Sequence, residues 1–123
     1  MNKEIIIQEI DSLNRTLDFV QEEQSFIKRK LSSYLDNVVL NEAILWAEVI
    51  HQEIINRETA IQLLKKDILN LKNKIKLKQN VSNIMDPSII GLYKKHKQQV
   101  GYIEKEFLLW KNSTNEKFEI TLN

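Results

Sequence analysis

The sequence predicts an all-α chain folded as an antiparallel three-helix bundle with coiled-coil-like heptad packing. Three observations carry this expectation. Apolar residues recur at alternating spacings of four and three along three long runs, two phase breaks separate the runs, and only two glycines and one proline occur in 123 residues. Average usage would put roughly 12% Gly plus Pro in a globular chain. Positive-φ and φ-locked positions are therefore too scarce for the many tight turns of a sheet or barrel.

The first run reads Ile6, Ile10, Leu13, Leu17, Val20, Gln24, Ile27, Leu31, Tyr34 without a slip. It is the seam of a helix over residues 3–35. Continuing it past Tyr34 would call for Val38, Asn41, Leu45 and Glu48, whereas the next seam starts from Leu40, so a turn is expected near Asp36 and Asn37. The second run, over 38–78, reads Leu40, Ala43, Ala47, Ile50, Ile54, Arg57, Ile61, Leu64, Ile68, Leu71, Ile75, Lys78, with Arg57 and Lys78 its only charges. The polar seam residues Gln24 and Arg57 can fix register at a cost in stability, and Arg57 can also bury its stem while its guanidinium reaches the edge.

The second break runs from Gln79 to Met85 and ends at Asp86-Pro87. There a carboxylate can accept from orphan amides, and proline presets the first-turn φ where no donor is needed. The third run, Ile89, Tyr93, His96, Val100, Ile103, Phe107, Trp110, predicts a shorter helix over 87–111. Beyond it, Asn112-Ser113-Thr114-Asn115 disfavours helix, and Phe118, Ile120 and Leu122 alternate like a strand with nothing to pair with. Residues 112–123 are therefore expected to form a frayed or packed tail on a single bundle domain of residues 1–111. At a rise of about 1.5 Å per residue the helices would be roughly 50, 60 and 40 Å long. The picture is a long hairpin with a shorter third helix folded back along it.

Composition excludes several chemistries. Zero cysteines rule out a disulfide framework, a Cys-ligated zinc site and a thiol nucleophile. The start of the chain has three consecutive apolar residues, Ile5 to Ile7, and the run from Ala43 to Ala47 has five. A secretory signal needs about 7–15 and a membrane span about 20, so a soluble cytoplasmic chain with no membrane partner is expected. Glu48 and His51 make a Glu-x-x-His of the kind used in di-iron bundles, but those sites need a second copy and two further glutamates. His96, on the third seam, reads as a partly buried histidine hydrogen-bonded to a neighbour. Gly91 and Gly101 form no phosphate loop, and no nucleophile elbow or zinc-protease motif occurs. No catalytic residue, cofactor, metal ligand or small-molecule substrate is nominated.

What the sequence does nominate is surface. A shorter third helix would leave the start of the second helix uncovered, where Ile44, Leu45, Trp46, Val49 and Ile55 add to the seam. Phe19 and Phe26 form a second stripe, seven residues apart, on the first helix. Exposed apolar surface of this kind marks association sites, and aromatic residues anchor them. These seven residues are the expected interface for a second copy of the chain or a helical partner, unless the third helix or the tail covers them. The alternative is weak, sequence-independent binding of nucleic acid or another anionic partner through Lys72, Lys74, Lys76, Lys78, Lys94, Lys95 and Lys97. Residues 65–97 hold nine lysines against Asp67 and Asp86, though the chain's net charge is only +1. That cluster contains no arginine for bidentate base contacts, which argues against nucleic acid.

Overall fold

The computed structural model describes residues 2–36, 41–77 and 86–122, which form α1 (Lys3–Asp36), α2 (Asn41–Leu77) and α3 (Pro87–Leu122). Side-chain caps open two of them. Asn2 Oδ1 accepts from the Ile5 amide at 2.9 Å, and Asp86 Oδ1 accepts from the Ser88 amide and hydroxyl at 3.0 Å each. Both satisfy donors that the first turn leaves orphaned. Pro87 takes the first helical position of α3, as expected. The turn beyond Asp36, the seam ends Leu40 and Lys78, and the 79–85 break lie outside the described residues.

Contacts between charged and polar side chains fix the directions of the helices. Lys28 pairs with Glu58, Lys65 with Asp18 and Lys72 with Asp11, so α1 and α2 are antiparallel. Arg57 pairs with Glu106, and Trp110 bonds Glu53, which sets α3 antiparallel to α2. Tyr93 bonds Glu9, and Lys111 pairs with Glu23, so α3 runs parallel to α1. The bundle is up-down-up, with each helix packed on the other two.

All nine positions of the first seam are buried. So are Ala43, Ala47, Ile50, Ile54, Ile61, Leu64, Ile68, Leu71 and Ile75 of the second, and Ile89, Tyr93, His96, Val100, Phe107 and Trp110 of the third, with Ile103 half-buried. The guanidinium of Arg57 reaches the edge of the bundle, its side chain 19% exposed. His96 Nδ1 lies 2.9 Å from Gln99 Oε1.

One expectation is corrected. The third helix is not shorter: α3 has 36 residues against 34 and 37 for α1 and α2. It continues past residue 111 as helix through Asn112-Ser113-Thr114-Asn115 to Leu122, where a tail of strand-like pattern was expected. Thr114 and Phe118 are buried. The Phe118 ring meets Tyr34 and Trp46 edge-on, at centroid distances of 5.7 and 5.0 Å, and Tyr34 meets Trp46 the same way at 5.3 Å. Lys30 Nζ lies 4.8 Å from the Phe118 centroid. Four residues of middling helix propensity cost at most about 0.7 kcal/mol each against alanine. Burying one phenylalanine is worth about 1.5–3 kcal/mol, and each aromatic pair adds about 0.5–1.5 kcal/mol. Packing outweighs propensity, and α3 therefore reaches the start of α2.

Candidate functional site

The flank of each helix can be assigned from the side chains that cross to its neighbours, because residues three and four apart adjoin on a helix surface. On α2, Glu53 and Arg57 reach α3. The ladder Leu45, Val49, Glu53, Arg57, Ala60, Leu63 is built of such steps and marks the edge of α2 beside α3. On α3, the ladder Tyr102, Glu106, Leu109 marks the matching edge, with Glu106 bonded to Arg57 at 3.0 Å. Leu45, Val49, Leu63, Tyr102 and Leu109 are all more than half exposed. An apolar strip thus flanks the α2–α3 groove on both sides.

The groove between these edges holds three adjoining hollows of about 270, 510 and 280 Å³. Neighbouring hollows share Ala60 and Ile103, then Asp67 and Lys95. The first is the polar waist of the bundle. Arg57 lies over the Trp110 ring, 4.8 Å from its centroid, while Trp110 Nε1 donates to Glu53 Oε2 at 2.6 Å. Gln24 of α1 lines the same hollow from below. It is 1% exposed, and neither its carbonyl oxygen nor its amide nitrogen has a hydrogen-bond partner among the described residues. The apolar strip is thus interrupted by one polar layer.

The seven residues nominated from sequence do not form one surface. Leu45 and Val49 are exposed beside α3, on the groove just described. Phe19 and Phe26, also exposed, adjoin Glu23 and Lys30, which reach α3 from α1, so they flank the α1–α3 groove instead. Ile55 adjoins Glu58, and Ile44 is two heptads from it, which puts both on the side of α2 that meets α1 through Lys28. Ile44 and Trp46 are half-buried, and Trp46 packs against the core. The shared end of α1 and α2 is covered by Phe118. Sequence reading missed Leu63, Tyr102 and Leu109. A signal existed in the heptad: Val49 and Leu63 share one position, and Tyr102 and Leu109 share another.

The lysines divide in the same way. Lys72 donates to Asp11 at 2.6 Å, and Lys76 is one turn further on the same flank of α2. Lys97 is one turn beyond Tyr93, which faces Glu9 of α1. Lys74 and Lys95 line the α2–α3 groove with Asp67, Lys94 is exposed, and Lys78 lies outside the described residues. Glu4, Glu9 and Asp11 at the start of α1 share this end of the bundle, so the excess of positive charge is smaller in space than along the chain.

Burial raises the pKa of the Tyr93 hydroxyl above its ordinary 10.0, and its hydrogen bond to Glu9 and the Glu9 charge add to the shift. Glu48 and His51 are both exposed. Among the described residues no three His, Cys, Asp or Glu side chains gather as a metal site would require, and no helix is long and apolar enough to cross a membrane. No family model matches the chain, and no curated protein or solved structure matches it either.

Proposed function

We propose that the chain is a helical interaction module that docks a helical partner on its α2–α3 face. The observation that carries this reading is the strip of Leu45, Val49, Leu63, Tyr102 and Leu109, five large apolar side chains exposed on the two edges of one groove. Scattered surface leucines are ordinary, but large apolar side chains gathered on both edges of one groove, on either side of a polar layer, are a feature of association sites. A groove between two antiparallel helices is the position a further helix takes in a four-helix bundle. The role is surface presentation, with no reacting group.

A photo-crosslinking residue placed at Leu63 or Tyr102, in cells making the chain, tests the reading against the same residue at Glu22 on the outer face of α1. Adducts are expected at the two groove positions and not at Glu22. Equal labelling at all three, or none in the groove, would refute it.

A further inference from the structure

We infer that the partner on the α2–α3 face is a second copy of this chain, docked antiparallel with the two grooves facing each other across a two-fold axis at the level of Asn56. The inference rests on the docking reading above and adds the partner and its direction.

Charge supplies the argument. The exposed face of α3 repeats every seven residues as Lys95, Tyr102, Leu109, Glu116, basic at one end, apolar in the middle and acidic at the other. The matching stripe on α2 is Glu42, Val49, Asn56, Leu63, Asn70, with Lys74 one turn beyond. Because the two helices are antiparallel, Lys74 and Lys95 stand together at one end of the groove and line the same hollow, where Asp67 offsets one of their two charges. Glu42 and Glu116 stand at the other end. All four are exposed and make no ion pair among the described residues.

Two docking directions are open to a self-complementary face. A parallel copy would bring lysine ends together and glutamate ends together, which like-charge repulsion disfavours. An antiparallel copy reverses this. With α3 opposite the α3 of the second copy, Lys95 meets Glu116 and Tyr102 meets Leu109 in the same register. With α2 opposite α2, Val49 meets Leu63, Asn56 meets its own counterpart, and Glu42 meets Asn70 one turn short of Lys74. The two registers agree on one axis, because Asn56 sits one residue from Arg57, whose partner Glu106 lies midway along the α3 stripe. A polar residue at the centre of such a track also fixes register.

The chain has no cysteine, so introduced thiols report the geometry directly. Light scattering on a sizing column, across a wide concentration range, is expected to show a concentration-dependent dimer. Leu63→Glu is expected to raise its dissociation constant about a hundredfold while the helical signal is retained. Under mild oxidation, Asn56→Cys should form a disulfide with itself. A mixture of the separate Val49→Cys and Leu63→Cys proteins should join to each other, as should Tyr102→Cys with Leu109→Cys. Joining of Leu63→Cys to Tyr102→Cys in place of these pairs would mean a parallel copy and would overturn the antiparallel assignment. A monomer at every concentration would overturn the second copy as occupant. In that case groove-specific photo-adducts to a different protein would leave the docking reading standing, and their absence would remove both.

Discussion

At Gln24 a carboxamide stands in a row of aliphatic side chains, buried and without a hydrogen-bond partner among the described residues. Leaving a buried amide unsatisfied costs about 1–3 kcal/mol, whereas an apolar group of similar shape carries no such penalty. Gln24→Leu is therefore expected to stabilise the bundle by about 1 kcal/mol, read as a rise in the midpoint of urea unfolding. An unchanged or lower midpoint would show that the amide is satisfied in solution. Tyr93 gives a pH dependence. Its pKa is higher folded than unfolded, so its contribution to stability is complete below the unfolded value near 10 and is lost as pH rises through the folded one. Unfolding stability should fall above about pH 10, and Tyr93→Phe should flatten that part of the profile. The periodicity that placed both residues on seams is local and fully legible in the sequence. The partners they meet or lack are not.

Among the elements, the seams of α1 and α2 were readable through all of their described length because they keep one alternation of four and three. The end of α3 was not, for an identifiable reason. After Trp110 the buried positions step by four to Thr114 and by four again to Phe118, while strict heptad continuation calls for Lys117. This step shifts the phase of the seam, and it coincides with four polar residues of weak helix propensity. Phe118 then holds the end of the helix by closing the ring cluster with Tyr34 and Trp46. Phe118→Ala is expected to cost about 3–5 kcal/mol, as for other buried phenylalanines. The loss should appear in thermal unfolding together with a red shift of tryptophan emission as Trp46 becomes exposed. A cost under about 1 kcal/mol would mean that the end of α3 is held by something else.

Over the whole molecule, the reach of α3 decides which surface remains for association. It covers Trp46 and separates Phe19 and Phe26 from Leu45 and Val49, so the residues that seemed one patch along the chain fall on either side of it. What remains on one face is the α2–α3 strip, apolar on either side of its polar layer, and its charged ends lie at opposite ends of the bundle. Charge obeys the same geometry. The lysines described between residues 65 and 97 are spread over different flanks of the bundle and partly answered by acids from α1, which are distant in sequence and adjacent in space. For the same reason the crosslinking contrast between Leu63 and Glu22, and the thiol pairs along the groove, test the molecule as a whole.

By itself the sequence determined that this protein is helical, that it carries three separate seams, and which residues turn inward, because those properties follow from the spacing of apolar side chains on a 3.6-residue period. Tertiary structure alone decided how far α3 extends and which helix stands beside each flank. Both depend on three surfaces meeting at once: a seam shows which face is buried, but the side on which each neighbour lies is set only when the third helix packs against the other two.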